Sequence, residues 1–187
     1  MKYKTSKKLM MSALAATLLA LAPMTQTHAA AHTAPTVPFS AALAGNDVSF
    51  NTDPAAIATR CDSPFAFSVT TFTGTGHATD LGTVEFVAEH CSLDLGFGPG
   101  PYEQGVLTLT AANGDELRAT YTNGVTDSTN FPLLAFTDDF TFDGGTGRFV
   151  HASGGGVEQG LFHFFTDDFT VVMDGTRAYD ASDRRHR

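Results

Sequence analysis

One stretch of the sequence decides the fold: Phe140-Thr-Phe-Asp-Gly-Gly-Thr-Gly-Arg-Phe-Val-His-Ala-Ser-Gly-Gly-Gly156. It begins with phenylalanines at every second position, the period of a strand with one buried face. The glycines that follow favour a sharp corner, because glycine adopts backbone angles that other residues resist. A second glycine run then leads into another apolar stretch. The pattern predicts two antiparallel strands joined by a corner.

The glycines of this corner have an architectural interpretation. A phosphate-binding loop of the GxxxxGK[ST] type needs a lysine and a following helix, and Gly144 to Gly147 is followed by neither. Arg148, the next residue, has two interpretations. We prefer an ion pair with a local carboxylate such as Asp143, and the alternative is contact with an anionic ligand at the rim of the fold.

Short runs of the same alternating kind extend on both sides of the corner and are separated by Gly, Pro, Asn and Asp. Asn113-Gly114 predicts a tight hairpin, and 54–59 has room for about one helical turn. Eight strands with no room for crossover helices predict an all-β fold, either a sandwich or a closed barrel. The strand count favours a single closed antiparallel eight-stranded β-barrel. We predict strands at about 38–50, 64–74, 78–90, 104–111, 115–122, 134–143, 154–165 and 169–179.

The first thirty residues have the pattern of a secretory signal. Four lysines precede an uncharged apolar run, and small residues follow at Ala29 to Ala31, where we expect cleavage. No later run is long enough to span a bilayer. We therefore predict a secreted or periplasmic protein with a signal peptide (1–30), a flexible spacer (31–37), a β-barrel domain (38–179) and a flexible tail (180–187).

Charge excludes one class of partner. Without residues 1–30 the chain keeps seven arginines, no lysine and twenty acidic residues, a formal charge of −13. Nucleic-acid binding depends on neutralising phosphates with Lys and Arg, so this surface makes nucleic acid a poor partner.

Cys61 and Cys91 are the two cysteines of the sequence, and in an exported chain they predict a disulfide. The alternative is a metal site, which needs more ligands than His90 beside Cys91 supplies. Zinc motifs such as HExxH or CxxC are absent from the sequence. We therefore predict no metal and no cofactor.

The sequence also contains an internal repeat, because Phe-Thr-Asp-Asp-Phe-Thr occurs at 136–141 and again at 165–170. One interpretation is a calcium site built from the four aspartates. The alternative, which we prefer, is that one copy begins a strand and the other forms a turn, since neighbouring strand residues point to opposite faces.

Several motifs resemble one group of exported bacterial proteins, which is similar to the allene oxide cyclase and dirigent type of eight-stranded barrel. The motifs are Gly74-Thr-Gly-His-Ala-Thr-Asp-Leu-Gly82, Ala88-Glu-His-Cys91, Leu109-Thr-Ala-Ala-Asn-Gly-Asp-Glu-Leu117, Gly144-Gly-Thr-Gly-Arg-Phe149 and Ala152-Ser-Gly154. The resemblance implies an up-and-down barrel, often with an apolar interior. Plant proteins of the allene oxide cyclase and dirigent type cyclise an epoxide or direct radical coupling by holding a flexible substrate in a cavity. No catalytic residue of those enzymes matches this chain, and Asp80 stands where many exported relatives have His.

Candidate site residues follow from strand parity. His90 and His163 lie among apolar residues and are candidates for an acid or base beside Tyr121, although a lone histidine on an apolar strand is more often structural. For ligand contact we propose Phe86, Phe140, Phe142, Arg148 and Met173.

Three functions remain open at this stage. The preferred one is a secreted barrel that binds a small apolar or amphipathic ligand in its interior. The second is a cyclase or isomerase that confines its substrate. The third is an extracellular structural or interaction protein whose barrel is filled with side chains.

Overall fold

The computed structural model describes residues 35–93 and 100–178 as a closed antiparallel barrel. Each strand pairs with the next, and β8 pairs with β1, which confirms the predicted fold class. The predicted signal peptide and tail, and most of the spacer, lie outside the described residues. The strands are β1 (Thr36–Asn51), β2 (Ala66–Ala78), β3 (Gly82–Leu93), β4 (Tyr102–Ala111), β5 (Glu116–Asp127), β6 (Leu133–Gly145), β7 (Ser153–His163) and β8 (Phe169–Ala178), and one helix, α1 (Pro54–Arg60), follows β1.

The up-and-down order gives the barrel two different ends. One, here called the closed end, is formed by the turns at 79–81, 112–115 and 146–152. The other, here called the open end, is formed by the connections at 52–65, 128–132 and 164–168. Within the described residues, no helix is long and apolar enough to cross a membrane.

Two turns differ from the prediction. The turn between β2 and β3 lies at Thr79–Leu81 and not near 75–77, because β2 continues through its glycines to Ala78 and Asp80 takes the positive φ angle of 62°. In the predicted hairpin, the Ala111 amide donates to the Asp115 carbonyl and the Gly114 amide donates to the Ala111 carbonyl. The three residues between this bonded pair are those left between the two predicted strands, but of Asn113 and Gly114 only Gly114 takes a positive φ angle, of 83°.

The glycine corner joins β6 to β7 at the closed end. Gly144 and Gly147 have φ angles of 109° and 55°, which side chains rarely tolerate. A short 3-10 turn, Gly147–Phe149, directs the Phe149 ring into the barrel, where it is fully buried. Arg148 pairs with Asp115, at 3.9 Å, and also donates to the Asp80 carbonyl, so its ionic partner is not the expected Asp143.

A buried cation completes the closed end. The Arg177 side chain is fully buried, and its guanidinium lies 5.6 Å from the Phe39 ring centroid and 5.1 Å from that of Phe149. Its Nη2 donates to Asp80 Oδ2 at 2.6 Å. Phe39 packs edge-to-face on Phe142, with 4.8 Å between the ring centroids, so aromatic side chains also fill the barrel interior next to Arg177.

Helix α1 lies at the open end and is attached to the outside of the barrel. Asp53 caps the helix by accepting a hydrogen bond from the Ala55 amide. The helix ends at the disulfide Cys61–Cys91, which confirms the predicted pairing. Arg60 reinforces the attachment through a 2.6 Å ion pair with Glu89 of β3.

Candidate functional site

The open half of the barrel contains a cavity of about 590 Å³. Side chains from all eight strands line it, and none of the closed-end residues described above does. The open half of the barrel is therefore not filled with side chains, which contradicts the filled interior that the third function assumes. A volume of this size falls in the range of small-molecule sites.

One wall of the cavity is apolar and aromatic. Phe72 packs edge-to-face on Phe162 and Phe169, with centroid distances of 5.9 and 5.1 Å, and Phe86 packs on Phe169 in the same way at 5.8 Å. These contacts fix the rings against each other. The wall comes from strands β1, β2, β3, β7 and β8, and Leu43 and Val171 complete it.

The facing wall contains two carboxyl groups side by side. Asp138 of β6 and Glu158 of β7 are directly opposite in the strand register, and both are buried. Tyr102 donates its hydroxyl to Asp138 Oδ2 at 2.6 Å, whereas Asp138 Oδ1 is buried without a hydrogen-bond partner. Two adjacent carboxyls in an apolar cavity resist double ionisation.

Burial raises the pKa of Asp138 to about 6, and the Tyr102 hydrogen bond opposes this increase. Burial, followed by the nearby Asp138, raises the pKa of Glu158 well above its ordinary value. Both shifts disfavour the state in which the two carboxyls are ionised together, so the pair retains one proton more readily than isolated carboxyls do. The pair combines a hydrogen-bond donor and an anion within one cavity.

His90 and Tyr121 lie on the same polar wall. His90 Nδ1 is 3.1 Å from the Tyr121 hydroxyl, and its ring stacks on Tyr102 at 4.4 Å. Burial first, and then the Arg60 charge, lower the pKa of His90 to about 3. Burial also raises the pKa values of Tyr102 and Tyr121 above the ordinary tyrosine value. All three side chains are thus neutral and act at neutral pH as hydrogen-bonding groups.

Two glycines make room for the tyrosines. A side chain at Gly105 would place its Cβ 2.1 Å from the Tyr121 ring, and one at Gly124 would lie 2.2 Å from the Tyr102 ring. Each glycine is opposite its tyrosine on the neighbouring strand, because Gly105 pairs with Tyr121 and Tyr102 pairs with Gly124. Each ring can therefore lie flat across the adjacent strand, which leaves the centre of the cavity open.

The structure brings only some of the predicted site residues to the cavity. His90, Tyr121 and Phe86 line it. The other predicted binding residues do not: Phe140, Phe142 and Met173 point inward but are packed in the closed half, and Arg148 lies at the closed end.

His163 does not reach the cavity either. It lies on the outer face of β7 with the exposed Leu161, and its Nδ1 is 3.1 Å from the Thr166 hydroxyl. Phe162, one residue earlier, is the side chain that points inward. The expectation that His163 faces the interior is therefore wrong, because the strand has the opposite parity.

The sequence does not single out Tyr102 or Glu158, and it offers Asp138 only as one of the four aspartates of the calcium interpretation. A signal existed for Asp138, because it shares strand parity with Phe136, which also lines the cavity, and with Phe140, which is buried. The two copies of the Phe-Thr-Asp-Asp-Phe-Thr repeat lie in different kinds of structure. Asp138 of the first copy lies in strand β6, and Asp167 of the second copy lies in the turn after β7. Within residues 35–93 and 100–178, no group of three or more His, Cys, Asp or Glu side chains could hold a metal ion.

Comparison with known proteins adds little beyond this geometry. No family model matches the chain. No curated protein sequence matches it either. Among solved structures, the chain is similar to a pterocarpan synthase dirigent protein, with 15% sequence identity and a TM-score of 0.48 over 79% of this chain and 87% of that one. The assignment to the eight-stranded barrel class rests on the strand order of the chain itself.

Proposed function

We propose that this protein binds a small amphipathic molecule inside its barrel. The observation that carries the proposal is the open cavity of about 590 Å³, with a phenylalanine wall on one side and hydrogen-bonding groups on the other. The apolar body of the ligand lies against Phe72 and Phe162. Its polar group lies against Asp138 and the neighbouring side chains.

The rim of the open end supports this proposal. Phe50, Phe67 and Phe164 line the cavity and are also about half-exposed to solvent. A continuous aromatic surface therefore leads from solvent to the Phe72 wall. An apolar ligand that enters along this surface remains in contact with aromatic rings throughout.

Blocking the cavity tests the proposal. Ala88 lines it between Phe72 and Leu107, so Ala88→Phe places a ring in empty space. Fatty acids, terpenoids and phenolics are screened against the wild type by thermal shift, and hits are measured by calorimetry. We expect at least one class to bind, and its affinity to fall more than tenfold in Ala88→Phe.

The matched control is Val87→Phe, which adds a ring to the outer face one residue away, where Val87 is exposed. Affinity in this control should equal that of the wild type. The proposal fails if no compound of the panel binds, or if Ala88→Phe binds as tightly as Val87→Phe.

A second candidate function is a cyclase or isomerase that confines its substrate. The observation that favours it is the carboxyl pair, because Glu158 can donate a proton and Asp138 can accept one within the same cavity. Compounds that bind are incubated with the protein and analysed for isomers by chromatography. Product that disappears in Glu158→Gln while binding persists supports this candidate, and unchanged compounds reject it.

We further propose that the protein acts outside the cytoplasm. The signal-like segment at 1–30 and the disulfide support this proposal. The mass of the protein recovered from the producing cells tests it, with cleavage expected near Ala29 to Ala31. An intact N-terminus would contradict it.

A further inference from the structure

We infer that the ligand of the cavity is an organic cation, an amine held by Asp138 beside Glu158. This inference rests on the proposed function and names the chemical class of its ligand. It is carried by the position of Asp138, by the partners of every cationic side chain in the described residues, and by the aromatic rings around the cavity.

The first argument is the incomplete pairing of Asp138. Its Oδ2 accepts the Tyr102 hydroxyl, but its Oδ1 is buried and has no hydrogen-bond partner. Asp138 is 3% exposed, so bulk water does not compensate for the missing partner. Buried charges are normally paired with a cation or fully hydrogen-bonded. Asp138 lines the cavity, so a ligand bound there can supply this donor once the carboxylate turns toward it.

The second argument is that the described residues offer no counter-ion for Asp138. They contain no lysine and four arginines, and each arginine is paired with a different carboxylate. The pairs are Arg60 with Glu89, Arg118 with Glu116, Arg148 with Asp115 and Arg177 with Asp80. The remaining basic group near Asp138 is His90, whose ring is held neutral by burial. A cationic ligand would neutralise the carboxylate.

Arg60, whose charge acts on His90 of the cavity, is also held in place on the outside of the barrel. Arg60 Nε lies 2.6 Å from Glu89 Oε1, and Arg60 Nη2 donates to the Gln104 carbonyl at 2.6 Å. The disulfide between Cys61 and Cys91 links the end of α1, which contains Arg60, to β3. Arg60 therefore cannot serve Asp138 without giving up both of these contacts.

The third argument is the aromatic surround. Tyr102, Phe136 and Phe72 line the same cavity, with 6.5 Å between the ring centroids of Tyr102 and Phe136. Aromatic faces attract ammonium groups, most strongly when water is excluded. The large excess of acidic residues over the whole chain also attracts cations to the protein.

Other ligand classes fit the site less well. A neutral alcohol can donate to Asp138 Oδ1 but leaves the buried charge uncompensated. A carboxylate would place a second anion beside the first. A bare metal ion needs more ligand groups than the Asp138 and Glu158 pair provides.

Three probes with one skeleton test the inference: 4-phenylbutylamine, 4-phenylbutan-1-ol and 4-phenylbutanoate. Calorimetry at pH 7.5 should give at least tenfold tighter binding of the amine than of the alcohol, and weaker binding of the acid. Asp138→Asn keeps the shape but removes the charge, and should abolish the preference for the amine. The control is Asp139→Asn, at the next residue, which is exposed and accepts a hydrogen bond from Asn123; it should keep the preference.

Equal affinity for amine and alcohol, or a preference for the amine that survives Asp138→Asn, overturns the inference. If members of the fatty acid, terpenoid and phenolic panel bind while the amine does not, the cation inference fails and the proposed function stands. If neither the panel nor the three probes bind, both fail. Thermal unfolding of each variant verifies that it is folded.

Discussion

The two ends of the barrel each contain a buried charged residue, but the two residues have different surroundings. At the closed end, Arg177 lies between aromatic rings and has Asp80 as its ionic partner. In the open half, Asp138 lies among aromatic rings as well, but no arginine within residues 35–93 and 100–178 pairs with it. A buried charge that is packed and paired is compensated by the fold itself, whereas an unpaired one at the wall of a cavity is available to a ligand.

The same contrast appears in the phenylalanines. Phe39, Phe140 and Phe142 pack on one another in the closed half, with centroid distances of 4.8 to 6.1 Å. Phe72 and Phe162 pack only along the cavity wall, so one side of each ring faces empty space. Identical residue types therefore form a core at one end and a binding surface at the other.

The largest expected effect comes from breaking the closed end. Arg177→Ala removes a buried side chain from between two rings, and we expect a loss of roughly 3 to 5 kcal/mol in the free energy of unfolding. Urea denaturation measures it. Arg118→Ala, which breaks an exposed ion pair, is the control and should cost less than about 0.5 kcal/mol. A similar small loss in Arg177→Ala would show that the closed end does not depend on its buried cation.

Removing the disulfide tests what holds the open end together. The bond closes a loop of 30 residues, so replacing both cysteines by alanine should cost roughly 3.5 kcal/mol in the chain-entropy account. Urea denaturation of the double variant, and of the wild type under a reducing agent, should agree. If the double variant is as stable as the wild type, the Arg60–Glu89 ion pair is enough to hold α1 in place.

The smallest effect comes from the uncompensated carboxylate. Folding raises the pKa of Asp138 to about 6, so between pH 4 and pH 6 the unfolded chain releases a proton that the folded chain retains. Rising pH therefore destabilises the wild type, and Asp138→Asn should remove this loss, which is on the order of 2 kcal/mol.

The measurement compares unfolding free energies of the wild type and Asp138→Asn at pH 4, 5, 6 and 7.5. The unfolding free energy of the variant minus that of the wild type should rise from pH 4 to pH 6 and change little above pH 6. The contribution of His90, whose pKa is lowered, changes in the opposite direction but is common to both proteins. Glu158, whose pKa is raised partly by Asp138, loses part of that increase in the variant, which adds to the variant's gain in stability. A difference that does not vary with pH would mean that Asp138 is not desolvated by the cavity.

Strand parity made much of the fold predictable from the sequence. Phe86 and His90, which the sequence offers as site candidates, share one face of β3 with Val84, and all three side chains are buried inside the barrel. Parity was ambiguous at 161–165, where apolar side chains occupy both faces, and this is why His163 was assigned to the wrong side.

The carboxyl pair could be predicted only in part. The alternation of Phe136, Asp138 and Phe140 points Asp138 inward, but its partner depends on the register between two strands. That register brings Asp138 and Glu158 together, although twenty residues separate them in the sequence. Whether the rings fill the barrel or leave a cavity also depends on their rotamers, which strand parity does not determine.

The pairing of β1 with β8 has a further consequence for the way the chain folds. All other strand pairs join neighbours along the chain and can form as local hairpins. The β1–β8 pair instead brings Thr36 beside Ala178, at opposite ends of the described chain. Closing so long a loop has a high entropic cost before any contact compensates for it. We therefore expect barrel closure to limit the folding rate, and a circular permutant that links these two residues to fold faster.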